Sequence, residues 1–417
     1  MKTDSRQAIR DAARKLAPEG VYALHELSAI PANAATGEGY DETVRWIAHA
    51  LEASGLAPNI SPVPTDHLRA CWGREFEYAR DYLNIDPGVP RSIVTASIDG
   101  ARAGVGCHLT NNYDLYWGPR KERAGTIAQL IAMKALKASG VELPRAVFLS
   151  ATPDGYTGGD TGAGYVAAQS IGRSHNVLAA SLGAPEVITV GYKGLVWAKI
   201  SIVGKPAHGS RPHEGKNAID AMAWVQSEIA QMARRYAVKR TDAPIWPDEA
   251  NAPTVSVCRI AGNLNSTFIA ADCSLFVDRR INPGESVRDV IDEFEDLVAR
   301  AREATHMDVS LSIPHTVEPS RTSVQSALYR SLERNVADAR GAKPSPVIWS
   351  HYLGLHYFTE AWGSDALAYT PGRVGHGKVD VGPEDDQMPD EDLGPAIEAI
   401  ALTAFDAVHE NLSSDGA

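Results

Sequence analysis

Two histidines five residues apart, His208 and His213, stand in the Gly/Pro-punctuated run GKPAHGSRPHEGKN. Imidazole titrates near neutrality, so a histidine in such a loop can donate to a carbonyl, exchange a proton or bind a metal. The bland reading of the same run is a surface hairpin arm with solvated histidines. Other groups able to do chemistry are scattered. Asp99 closes the apolar run SIVTASI, Asp154 and Tyr156 lie in ATPDGYTGG, and Glu122 sits in PRKERAG beside Arg120, Lys121 and Arg123. His108 and His376 occupy Gly-containing connections, and Arg280 follows Asp278 and Arg279. Glu122 also reads as an ion-pair partner of its basic neighbours, Asp99 as a turn cap, and the two histidines as ordinary loop side chains.

The elements that position these residues fall into two patterns. Helical spacing covers 4–17 and 39–54, the second closing before Gly55. SIVTASI (92–98) and AVFLSA (146–151) read as buried strands, with a helix over 124–139 between them and another over 165–169. Strand, crossover helix, strand predicts a parallel sheet, whose functional residues gather at the carboxyl ends, near Asp99 and Asp154. From Glu186 the strands lengthen and alternate: VITVGYK, LVWAKISIV, TVSVCRIAG and DCSLFVDRRI, with helices over 218–236 and 287–303. That pattern predicts an antiparallel sheet with helices on one face, inserted into the first domain. The expected division is 1–187, 188–314 and 315–417, with a last helix over 393–412 completing the first domain.

The totals narrow the function. At 417 residues the chain exceeds one ordinary core, and its formal charge of -12 disfavours nucleic acid or an anionic membrane as the main partner. Cys71, Cys107, Cys258 and Cys273 lack CxxC spacing, so neither a disulfide framework nor a thiolate zinc site is indicated, and a cytoplasmic setting fits best. The N-terminal stretch is a charged amphipathic helix without a signal-type apolar core.

With these residues laid out, the chain resembles the aminoacylase, desuccinylase and glutamate carboxypeptidase family of metallo-hydrolases, the M20 type. The resemblance rests on GYKG at 191–194, the Gly-x-x-x-His-Gly-Ser-x-Pro run at 204–212, Gly215-x-Asn217-Ala218, VDRRINPGES at 277–286, ATPDGYTGG at 151–159 and YTPG at 369–372. It implies an α/β fold: a zinc-peptidase-like catalytic domain with a mainly parallel sheet, plus an inserted α+β dimerisation (lid) domain with an antiparallel sheet. It further implies a homodimer through 188–314, a divalent metal (Mn or Zn) and hydrolysis of a C-N bond in a small anionic substrate.

The family's metal-site pattern is altered here. Its His-x-Asp falls on Ser97-Ile98-Asp99, its bridging Asp on Glu122, its paired glutamates on Gly155 and Tyr156, and its last His on Gln387. Glycine and amide groups do not replace carboxylate and imidazole as tight zinc ligands, so the resemblance leaves one rebuilt metal site, with Glu122, His108 and His376 as candidate ligands. His208 matches the histidine that reaches the partner's substrate carbonyl, with Asp99, Asp154 and Tyr156 as further catalytic candidates. Arg280 and Gly372 match substrate-binding positions. Two alternatives stay open: a hydrolytic deaminase of an aromatic amino acid, resembling 5-nitroanthranilate aminohydrolase, and an inactive homologue that binds a small anion.

Overall fold

The structure is a computed structural model that describes residues 2–33, 36–73, 89–115, 119–155, 158–180, 183–262, 267–352, 354–372 and 388–409. The chain divides into two compact units. Unit 1 comprises Met1–Val190, Thr322–Val347 and Leu353–Ala417; unit 2 comprises Gly191–Arg321 and Ile348–Tyr352. No helix among the described residues is long and apolar enough to cross a membrane.

Unit 1 begins with α1 (Lys2–Ser28), α2 (Tyr40–Ala53), β1 (Asn59–Pro62), α3 (Thr65–Gly73) and β2 (Ser92–Ile98). It continues with β3 (Val105–Asn112), α4 (Pro119–Ala138), β4 (Ala146–Thr152), α5 (Ala163–Ala168), β5 (Asn176–Ala180) and β6 (Val187–Tyr192), whose last two residues belong to unit 2. The helix expected over 4–17 runs on through Pro18 to Ser28. Tertiary packing outweighs the local break: at Gly20 an added Cβ would lie 3.2 Å from both Ile397 and Leu393, and Leu24 and Leu27 are buried.

One correction changes where function can sit. β2 pairs antiparallel with β4, Ile98 opposite Val147 and Val94 opposite Ala151, so the expected parallel pair is not formed by these two strands. The parallel partner is β3, in the stretch read as a Gly-rich connection; it runs beside β4, Asn112 opposite Thr152, and beside β5 on its other edge. The crossover helix α4 therefore joins β3 to β4. The strand escaped notice because it is buried along its length yet carries His108, Thr110 and Asn111 inside, masking the apolar run that marks a central strand.

Unit 2 holds β7 (Gly194–Val203), α6 (Ala218–Ala237), β8 (Ile245–Trp246), β9 (Thr254–Gly262), β10 (Asp272–Ile281), α7 (Val287–Thr305), β11 (Asp308–Val317) and β12 (Ser320–Arg321). Its main sheet has the order β11-β7-β10-β9, antiparallel throughout. Val196, Ala198, Ile200 and Ile202 of β7 alternate into a core closed by Met222, Val225 and Ile229 of α6 and Phe294, Leu297 and Val298 of α7. Asn217 caps α6 by accepting the Ile219 amide at 3.1 Å, and Ser286 caps α7 by accepting that of Asp289 at 3.1 Å.

The chain then returns to unit 1 with α8 (Ala327–Arg340), β13 (Ser345–Trp349, ending in unit 2), α9 (Leu355–Trp362), β14 (Asp365–Ala368) and α10 (Leu393–His409). β14 runs parallel to β5, so β4, β3, β5 and β14 form the parallel centre of a mixed sheet ordered β1-β2-β4-β3-β5-β14-β6-β13. Unit 1 is thus α/β with a mainly parallel sheet core, and unit 2 is α+β with an antiparallel sheet, as expected for a catalytic and a dimerisation domain of M20 type.

Candidate functional site

A cavity opens in unit 1 at the carboxyl ends of β3, β4 and β5, where an open α/β sheet places its ligands. Thr110, Asn111 and Asn112 line it from β3, Thr152, Pro153 and Gly155 from the end of β4, Ala179 and Ala180 from β5, and Leu355 and Phe358 from α9. Its polar groups are largely committed. Asn111 donates to Gln129 at 3.1 Å and accepts from Thr126 at 3.4 Å, and the Thr152 hydroxyl donates to the Asn111 carbonyl at 3.1 Å. Asn112 accepts the Gly155 amide on Oδ1 at 3.0 Å. A Cβ at Gly155 would lie 2.3 Å from Asn112 Cγ, so any side chain there displaces the amide. Positions 112 and 155 are one packed unit.

Behind this edge lies a buried cluster of charge. Asp114, two residues beyond β3, accepts a short hydrogen bond from the Tyr40 hydroxyl. Arg123 is fully buried and donates to Thr43 at 3.2 Å, while among the described residues its Nε and Nη1 have no partner. Burial pushes the Asp114 carboxyl up to about 6, with Tyr40 and Arg91 opposing the rise, and draws the Arg123 guanidinium down to about 10. Asp154, fully buried, adopts φ 70° and accepts the Thr161 amide and hydroxyl on Oδ2 at 3.0 and 2.8 Å. Burial lifts it to about 7, the Arg91 charge opposing and the Asp114 charge adding. Among the described residues its Oδ1 has no partner.

The structure sorts the remaining candidates. Asp99 is exposed at the far end of the sheet, because the end of β2 lies beside the start of β4, and it accepts the local Ser97 hydroxyl at 3.2 Å. It is a turn residue, and the strand that ends at the cavity is instead β3, closing at Asn112 and followed by Tyr113-Asp114. His108 also leaves the ligand set. It is buried in mid-strand, with Nδ1 2.9 Å from the Gly172 carbonyl and Nε2 2.8 Å from Ser150 Oγ, among Phe148, Phe358 and Trp362. Both nitrogens are engaged, and burial lowers its pKa to about 4, so it is a neutral core histidine.

Glu122 lies buried in the first turn of α4. Gly372 approaches the same turn, where a Cβ would lie 2.0 Å from the Lys121 carbonyl oxygen, and Gly125 packs against Ala180 of the cavity wall and Thr370. The basic run beside Glu122 is not a solvated patch: Arg120 pairs with Asp390, and Lys121 and Arg123 are buried. Tyr156, His376 and Gln387 lie outside the described residues. Sequence reading missed Asn112, Asp114, Arg91 and Tyr40; the run Asn111-Asn112-Tyr113-Asp114 at the end of a concealed strand was the available signal.

In unit 2 the His208 loop is a closed hairpin. Lys205 and Lys216 exchange backbone hydrogen bonds at 2.9 and 2.8 Å, and the Ile269 amide donates to the Ala207 carbonyl at 2.8 Å and that of Gly209 to Thr267 at 2.9 Å. The His208 ring is exposed, edge-on to Phe268. The Ser210 backbone amide donates to its Nδ1 at 3.2 Å, with the Ser210 hydroxyl 2.8 Å away. An amide nitrogen can only donate, so Nδ1 is the acceptor and the neutral ring carries its proton on Nε2. Arg280 at the end of β10 forms a two-point ion pair with Asp278 at 2.7 and 2.8 Å. Trp197 also donates to Asp278, at 3.0 Å, and burial with the Arg280 charge lowers His351 to about 4.

No three of His, Cys, Asp and Glu among the described residues converge as a metal site, and the cavity wall is amide, hydroxyl, backbone and hydrocarbon. Such a donor set does not fit a dinuclear zinc centre.

The sequence of residues 190–306 matches the peptidase dimerisation domain of M20 type. No curated protein sequence matches the chain. Among solved structures, a putative aminohydrolase from methicillin-resistant Staphylococcus aureus is 14% identical, with TM-score 0.71 over 97% of this chain and 100% of its own. An M20 family metallo-carboxypeptidase from Sulfolobus solfataricus is 17% identical, with TM-score 0.64 over 93% and 99%. An aminobenzoyl-glutamate utilization protein from Klebsiella pneumoniae is 17% identical, with TM-score 0.62 over 95% and 97%. The chain therefore carries an M20-type peptidase dimerisation domain over 190–306, and nearly its whole length shares the fold of these solved structures.

Proposed function

We propose that this chain is a homodimeric hydrolase of a C-N bond in a small molecule. The observation that supports it is the His208 loop, which holds an exposed imidazole with Nδ1 fixed as acceptor and Nε2-H left to donate. That tautomer is the one able to polarise a scissile carbonyl, and the M20 resemblance directs it to the partner subunit's substrate. Asp154, raised to about 7 beside the cavity residues Pro153 and Gly155, has the proton affinity to act as base near neutral pH. Arg280, held by Asp278 through Nε and Nη2, is the guanidinium that would meet a substrate carboxylate if the substrate is anionic.

No step is assigned to a metal. Of the three candidate ligands, His108 is committed within the core and His376 lies outside the described residues, so Glu122 is the one the described residues retain. The test is release of amine or ammonia from N-acyl amino acids, dipeptides and aminoaromatic acids, with elemental analysis of the protein as purified and assays with added Zn or Mn. Release that disappears in His208→Ala, and returns in part when His208→Ala and Asp154→Asn subunits are mixed into heterodimers, supports the reading. Absence of release from every substrate under every metal condition overturns it. The uncharged cavity wall favours a second reading, a non-catalytic small-molecule-binding homologue, which that outcome would leave standing.

A further inference from the structure

Among the described residues, the wall of the cavity at the carboxyl ends of β3–β5 carries no charged side chain, although Asp114, Asp154 and Arg123 are buried. A carboxylate or ammonium moved into such surroundings loses its hydration without gaining a counter-charge, whereas an uncharged polar group requires only hydrogen bonds. Most of the polar lining is occupied. Asn111 is engaged on both sides of its amide, the Thr152 hydroxyl is donated to Asn111, and Thr110 accepts from Ser150 at 3.0 Å. Asn112 differs. The Gly155 amide can only donate, so the atom it meets at 3.0 Å must be the carbonyl oxygen, and the orientation of the Asn112 amide is thereby fixed. Its NH2 group has no partner among the described residues. Gly155 keeps this arrangement because a Cβ would lie 2.3 Å from Asn112 Cγ and 2.5 Å from its Nδ2.

We propose that Asn112, oriented by Gly155, is the donor that recognises an uncharged acyl-amide group in this cavity, its NH2 donating to the carbonyl oxygen of the ligand. The hydrocarbon of Ala179, Ala180, Leu355 and Phe358 then receives the acyl chain. This deepens the hydrolase reading and rests on it for the identity of the substrate: the acyl side of the scissile amide enters the cavity uncharged, and any carboxylate of the substrate lies elsewhere.

The test uses three small probes of equal length, propionamide, propionate and n-propylammonium, titrated against the full chain by ligand-observed NMR. Wild type is expected to bind propionamide at least tenfold more tightly than either ion. Asn112→Asp keeps an oxygen for the Gly155 amide but replaces the donor by an acceptor, and is expected to weaken propionamide about tenfold. Gly155→Ala is expected to do the same by expelling the amide, and circular dichroism checks that both variants fold. If Asn112→Asp fails to fold, Asn112→Ser takes its place with the same expected loss. Absence of propionamide binding, propionate binding as tightly as propionamide, or unchanged binding by the folded Asn112 variant would each overturn the proposal. Propionamide binding without C-N hydrolysis removes the hydrolase reading alone. Hydrolysis with no response to the Asn112 variant removes this inference alone.

Discussion

The hairpin of unit 2 and the cavity of unit 1 solve the placement of a polar group in opposite ways. His208 is held by its own neighbours: Ser210 two residues on, and the 267–269 backbone alongside. It is exposed, so water covers what the loop does not. The cavity edge is assembled from β3, the end of β4, β5 and α9, and its polar side chains, buried at Thr110, Asn111 and Thr152 and half-buried at Asn112, are tied by hydrogen bonds. Locally held groups can change with little consequence for the fold, whereas buried ones cannot be altered singly. Position 155 is therefore tied to its neighbour, with Asn112 filling the space a side chain there would need.

The largest predicted effect tests that interdependence. Asp114→Ala removes the acceptor of the Tyr40 hydroxyl and the negative charge near Arg91 and Arg123, and should cost about 3–5 kcal/mol in urea unfolding, the scale of breaking a buried charged pair. A loss below about 1 kcal/mol would mean that the cluster is not a unit. Next, Gly155→Ala should cost about 1–3 kcal/mol through overpacking against Asn112. The double variant Gly155→Ala with Asn112→Ala should recover part of that loss, so a strictly additive cycle would contradict the coupling.

How far each region is legible in sequence follows the same division. The loop carrying His208 could be read as a unit because its turn formers, its strand and the Asn217 helix cap are contiguous. The antiparallel domain was equally plain, since β7 and β10 alternate against one core. Unit 1 misled where long-range pairing decides. SIVTASI is a strand as its pattern says, but the direction in which it pairs is set by partners far along the chain, and that placed Asp99 at the wrong end of the sheet. β3 was hidden because a central strand can bury His108, Thr110 and Asn111 when each finds a hydrogen bond, information absent from any window of residues. Asp154 was visible as an acid in a turn; that burial would raise it to about 7 was not.

A smaller effect separates the regions by pH. Asp154 has a folded pKa near 7 against an unfolded value near 3.9, so the folded state holds the proton more tightly. Its stabilising contribution is complete below about pH 4 and is lost as the pH rises towards 7, with a slope of at most about 1.4 kcal/mol per pH unit. Asp154→Asn should flatten this part of the stability profile, leaving a residual slope between about 4 and 6 from Asp114, which shifts in the same direction. An unchanged profile would show that the buried carboxyl does not titrate as its surroundings require.

The smallest expected change in stability belongs to His208→Ala. The ring is exposed, its hydrogen bonds go to Ser210, and the hairpin is closed by backbone bonds that the substitution leaves intact. Thermal unfolding should therefore move by no more than about 0.5 kcal/mol. The same variant is expected to lose amine release, because the lost Nε2-H is the proposed donor to the carbonyl. Intact stability with lost activity is the combination a functional side chain gives and a structural one does not. His208→Gln keeps a terminal NH2 donor and should restore part of the rate, while a fall in stability of several kcal/mol would place His208 with the interdependent residues of unit 1.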